Sequence, residues 1–129
     1  MTTGPSVQLL LARAEQTLAA ARYTLAGGFA GTALNRAYCA MFYAASAALA
    51  ALDLFPRTHA GVRTLLGQRL VLTGRLSLDA MERYSAAFAA RMETDYSGRD
   101  PSEQETRSYV EDATLFLAEI RALLAADGR

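Results

Sequence analysis

Between Asn35 and Leu52 the chain reads NRAYCAMFYAASAALAAL, and at about 100° per residue its large side chains gather on one side of a helix. Leu34, Tyr38, Phe42, Leu49 and Leu52 form that side, with Met41 at its border. The opposite side carries Arg36, Ala40, Tyr43, Ala47 and Ala50, small residues that begin with a permanent cation and hold one phenol two turns further on. A helix that is apolar or small on nearly every side is normally buried all round. It therefore lies either at the centre of a bundle or under another chain. Small residues permit close backbone approach, and the expectation is a subunit interface lined by Arg36 and Tyr43.

Working outward, the remaining segments read as helices separated by short breaks. A first helix starts after Pro5-Ser6, with Ser6 as its cap, and stops at Gly27-Gly28. Its apolar residues Leu10, Leu11, Ala14, Leu18, Ala21 and Leu25 recur at amphipathic spacing. Phe29 to Thr32 leads into the central helix, which ends near Asp53-Leu54-Phe55-Pro56, because proline disfavours helical geometry at the residue before it. Thr58 caps a third, shorter helix holding Val62, Leu65, Leu66 and Leu70 and closed by Thr73-Gly74. Ser77 caps a fourth, whose predicted apolar stripe is Leu78, Met81, Ser85, Phe88 and Met92 with Tyr84 at the edge. After the loop Tyr96 to Pro101, either Asp100 or Ser102 caps the last helix, with Glu103 or Glu105 closing a capping box. No stretch alternates with period two between hairpin turns, so no strand is predicted. The fold class is all-α: an up-and-down antiparallel four-helix bundle with an additional short helix, in one domain spanning residues 1–129.

Composition removes several function classes. One Cys and one His cannot build the usual metal cages, so neither a metal nor a cofactor is expected. Cys39, inside the central helix, reads as a small buried hydrophobe. Thirteen basic and thirteen acidic residues cancel, so bulk charge gives no argument for nucleic-acid binding. Every basic residue is Arg, however, the better side chain for bidentate phosphate contacts at any local site. No secretory leader and no membrane-spanning run is visible, so a soluble cytoplasmic protein with no membrane partner is expected.

There is no phosphate-binding glycine loop, no pair of carboxylates on one helix face and no nucleophile elbow. A few polar residues in apolar surroundings remain. Arg36 with Asn35 opens the central helix, where an Arg also snorkels readily from a bundle end to solvent. Arg91 and Asp95, four apart, can form a structural ion pair. His59 follows a cap residue, where exposed histidines are common.

The order NRAYCAMFYAASAAL, then RTHAGV, then RMETDY before a capped last helix resembles the HEPN domain family, in particular its small stand-alone prokaryotic members. Their central helix typically reads like RAYYAMFHAA, a His-Ser/Ala-Gly-Val turn follows, and R-x-x-A-D-Y closes the next helix. The likeness runs from about Ala14 to Leu124. It implies a helical bundle, a homodimer, and pairing with a nucleotidyltransferase as a toxin–antitoxin system. Active relatives are metal-independent RNA endonucleases whose Arg-x(4–6)-His motifs from two subunits meet in a cleft.

Carried over residue by residue, the resemblance makes Arg36 the motif arginine and puts Tyr43 where these relatives have histidine. Asp95 stands near the place of a second histidine. Metal-free RNA cleavage needs a base, an acid and a cation on the phosphate. The candidate catalytic set is therefore Arg36, Tyr43 and Asn35, with His59, Arg91, Asp95 and Tyr96 behind it. Three functions stay open: a ribonuclease toxin, a catalytically silent dimer that binds a nucleotide or a partner protein, and a structural dimerisation module.

Overall fold

A computed structural model describes residues 4–128. Five α-helices follow one another: α1 (Val7–Ala26), α2 (Ala30–Ala50), α3 (His59–Leu66), α4 (Leu78–Ser97) and α5 (Glu103–Ala126). A five-residue π turn, Gly67–Val71, extends α3. The described residues contain no strand. No helix among them is long and apolar enough to cross a membrane.

Local chemistry sets most of the boundaries. The hydroxyls of Ser6, Thr58, Ser77 and Ser102 each accept from a backbone N–H one turn into α1, α3, α4 and α5. Of the two caps open for α5, Ser102 is the one used, and Glu105 returns to the Ser102 N–H to complete the box. Asp100 has a different place. Its carboxylate lies against Gly31 in the first turn of α2, where any Cβ would collide with it. Because Phe29 offers α2 no side-chain cap, a carboxylate beside that N-terminus is favourable to the helix dipole. The helix therefore starts at Ala30, earlier than the sequence predicts. Gly98, at φ +72°, ends α4 in the left-handed conformation that glycine tolerates.

Helix α2 is the centre of the bundle, touching α1, α3, α4 and α5. Ala40 and Ala47 are almost wholly buried within this one chain, and Ala50 nearly so. The small-residue face therefore needs no second subunit to cover it, which corrects the premise on which an interface there was expected. The reason lies in α1, whose buried face includes Ala14 and Ala21 and which packs against α2 more extensively than any other pair of helices. Small residues on both sides allow that close approach. What α2 leaves partly open is another stripe: Asn35, Arg36, Cys39, Phe42, Tyr43 and Ser46.

The core face of α4 is also rotated from its predicted stripe. Ala80, Tyr84 and Ala87 are buried, while Leu78 is 63% and Met92 49% exposed. The two alanines flank Tyr84 and let its large ring reach Tyr38 of α2 and Phe116 of α5, at centroid distances of 5.7 and 5.5 Å. Area buried per side chain decided the orientation, and Tyr84 outweighs the two terminal apolar residues.

Candidate active site

Arg36 and Asn35 come together, but with each other. The Arg36 guanidinium donates from Nε and Nη2 to Asn35 Oδ1, at 3.2 and 2.8 Å, and Nη2 also lies 3.4 Å from Cys39 Sγ. Cys39 is thus half-buried in a polar setting, in place of the fully buried hydrophobe expected. Tyr43 belongs to a different neighbourhood. Its ring packs edge-on against Phe42 at 6.1 Å and lies under the Arg13 guanidinium at 5.9 Å. Tyr96, near the end of α4, is 93% exposed.

A second constellation forms where α2, α3 and α4 meet. Tyr38, read from the sequence as a core residue, is fully buried, and its hydroxyl lies 2.7 Å from His59 Nδ1 and 3.3 Å from the Tyr84 hydroxyl. His59 stands on the first residue of α3, held there by the Thr58 cap, and its imidazole stacks at a tilt on Phe42, 4.6 Å away. The Arg91 guanidinium lies over the Tyr38 ring at 5.2 Å, and Arg63 lies over Phe88 at 5.4 Å. Arg91 thus acts on the imidazole directly, Arg63 stands one ring away over Phe88, and cation–π attraction holds each over its ring. Arg91 Nε is buried, lies 3.6 Å from Asp95 Oδ2 and makes no hydrogen bond among the described residues. The ion pair foreseen from the four-residue spacing is present, yet it leaves that donor unused.

The hydroxyl chain constrains the imidazole. When Tyr84 donates to Tyr38, and Tyr38 to Nδ1, every hydroxyl proton has an acceptor and the ring hydrogen sits on Nε2. In the reverse direction Nδ1 donates to Tyr38, and Nε2 becomes a free acceptor. Burial pushes both phenols above their usual range, Tyr84 much further than Tyr38. Both therefore stay protonated at neutral pH. His59 as a residue stays exposed, and partial loss of water contact on its Phe42 and Tyr38 side lowers its pKa below that of an ordinary histidine, with the Arg91 charge adding to the effect. The imidazole is accordingly neutral at pH 7.

His59 and Arg91 were named from the sequence only as secondary candidates; Tyr38, Tyr84 and Arg63 were not named as site residues at all. One signal was available. From Leu54 to Leu78 the chain carries Arg57, His59, Arg63, Arg69 and Arg75 and no acidic residue, a local excess hidden by the zero net charge. Arg75 pairs with Asp127, whereas Arg57, Arg63 and Arg69 make no carboxylate contact among the described residues. Among those residues, no three His, Cys, Asp or Glu side chains gather closely enough to hold a metal ion.

The family model of the HEPN domain matches residues 7–123. This chain belongs to the HEPN domain family. A UPF0332 protein of Gloeobacter violaceus is 35% identical to the HEPN chain over 115 residues, 88% of this chain and 91% of the relative. A Methanocaldococcus jannaschii protein provisionally named a toxin is 30% identical over 118 residues, 92% of this chain and 88% of the relative. A UPF0332 protein of Thermotoga maritima shares 31% over 113 residues, 87% and 86% of the two chains. The all-α fold and the family expected from the three sequence motifs thus both hold.

Proposed function

We propose that this HEPN chain is the toxin of a toxin–antitoxin-type pair with a nucleotidyltransferase, and that it cleaves RNA without a metal at His59. The observation that carries the reading is the 2.7 Å contact between His59 Nδ1 and the Tyr38 hydroxyl, beneath an Arg91 guanidinium stacked on the same Tyr38 ring. A proton carrier, the group that orients it and a cation for the phosphate stand within one cluster. The toxin part of the reading is supported by relatives that carry that name.

In the proposed reaction the base is His59 in the tautomer whose Nδ1–H donates to Tyr38, and its free Nε2 takes the proton of the 2′-hydroxyl. The 2′-oxygen attacks phosphorus, the bond to the 5′-oxygen breaks, and that oxygen takes a proton from the imidazolium form of a second copy's His59, a minor form at pH 7. The products are a 2′,3′-cyclic phosphate and a 5′-hydroxyl. The partly exposed guanidinium of Arg91 and that of Arg63 stabilise the charge that builds on the phosphate. One imidazole performs one of the two proton tasks at a time. The His59 of a second copy supplies the other, so a homodimer is part of this proposal.

His59→Ala is expected to reduce cleavage of a single-stranded RNA in the presence of EDTA by about a hundredfold or more. Product analysis should find cyclic phosphate termini. Wild-type rates in His59→Ala, with a matching loss in Arg36→Ala, would move the chemistry to Arg36, Asn35 and Tyr43. Absence of cleavage by the wild type, together with salt-sensitive binding of RNA, would favour the silent binding dimer.

A further inference from the structure

Next to the His59 cluster, on the other side of Phe42, lies a hollow of about 190 Å³ walled by Phe42, Tyr43, Leu54, Phe55 and Pro56, with the Ser46 hydroxyl at its edge. We infer that this hollow is a nucleobase subsite, which receives one unpaired base of the RNA strand whose phosphate lies at His59. The inference rests on the proposed role of His59 and names the substrate form that role requires.

Three observations point to this occupant. The first is shape and lining. A cavity of about 150 Å³ accommodates a benzene-sized ring, and three aromatic side chains with one hydroxyl are the usual means of stacking a base and touching its edge. The second is charge. Among the described residues no carboxylate lines the hollow. The cations nearest it are Arg13 over the Tyr43 ring on one side and, past Phe42 and the neutral His59, Arg91 and Arg63 on the other. An apolar plane attached to an anion is the ligand complementary to such a border. The third is distance. Phe42 is shared, with its centroid 4.6 Å from the His59 ring and 6.1 Å from Tyr43, so a single aromatic side chain separates the hollow from the place of the phosphate. A base in a duplex is not free to enter, so the substrate is single-stranded.

Tyr43 thereby acquires a role different from the catalytic one its sequence position implies. It is a stacking residue.

The test is amide NMR titration of the full chain with AMP, UMP, CMP and GMP, and with ribose 5-phosphate as the probe that lacks a base. The nucleotides are expected to shift the amides of Phe42 to Ser46 and of Phe55 and to bind about tenfold tighter than ribose 5-phosphate. Ribose 5-phosphate should perturb only the surroundings of His59, Arg63 and Arg91. Tyr43→Leu should remove the nucleotide advantage and leave ribose 5-phosphate binding unchanged, and Ser46→Phe should do the same by filling the space. If Ser46→Phe fails to fold, the milder Tyr43→Leu with Ser46→Ala decides the matter.

Equal affinity for nucleotides and ribose 5-phosphate would overturn the subsite. So would amides of the hollow that shift with protein concentration alone, which would give this face to a second copy of the chain. His59-dependent cleavage with no base preference and no effect of Tyr43→Leu would retain the ribonuclease and discard the subsite. Nucleotide binding in the hollow without any RNA cleavage would do the reverse.

Discussion

A chain with a single histidine offers a direct view of its proposed reacting group. The pKa of His59 is lowered by loss of solvation and by Arg91, so imidazolium forms more readily in the unfolded chain than in the folded one. The favourable contribution is therefore fully present above the unfolded value of about 6.5 and is lost as pH falls from there through the lower folded pKa. We expect the imidazole to titrate below the ordinary histidine range and to carry its hydrogen on Nδ1, the tautomer that leaves Nε2 free to act as the base. Arg91→Gln should move the titration upward, and Tyr38→Phe should mix the two tautomers. Nitrogen-15 shifts of the ring read both, and a wild-type titration at or above the ordinary value would remove the case for a neutral imidazole. Cys39 shows the same dependence on neighbours. Its side chain is small and apolar enough for a core, yet Arg36 and Asn35 draw it into a half-buried polar cluster.

Among the helices, α2 determines how the others arrange themselves, since four elements pack on it. Ala47 lies on its tight face at 0% exposure. Ala47→Glu would bury a carboxylate between closely packed helices, where an unpaired charge costs several kcal/mol. Set against a total of about 5–15 kcal/mol for a domain, the expected outcome is a chain that is largely unfolded or melts far below the wild type. Circular dichroism during chemical denaturation checks this. A folded variant with an unchanged midpoint would mean that α1 and α2 separate more easily than their burial indicates. The end of α3 makes a related point. A helix predicted to run on to Thr73 instead widens into the π turn at Gly67–Val71, where the Leu72 N–H reaches back to the Gly67 carbonyl. Such turns are frequent at functional sites, and this one belongs to the acid-free arginine-bearing segment beside His59.

For the whole molecule, the proposed chemistry makes a claim about assembly. If two His59 side chains share the proton work, sedimentation at micromolar concentration should show a species of twice the 13.9 kDa chain mass. Cleavage should then fall more steeply on dilution than first order in protein. A monomer that retains full specific activity would require both proton steps within one chain. The helical content, three of the helix caps outright and a fourth as one of two choices, and the family were legible in the sequence, because each depends on neighbours a few residues away: a serine before a helix, a glycine after one, a motif along one face. The candidate site was legible only in part. His59 and Arg91 were visible as odd polar residues, but their conjunction through Tyr38 joins positions 21 and more residues apart, which no local period records. The sequence likewise showed that both sides of α2 had to be covered, but the cover it led us to expect, a second subunit, was the wrong one. Packing decided this, because alanines on α1 and α2 let two backbones approach closely, and that contact turned the expected subunit interface into the interior of a single chain.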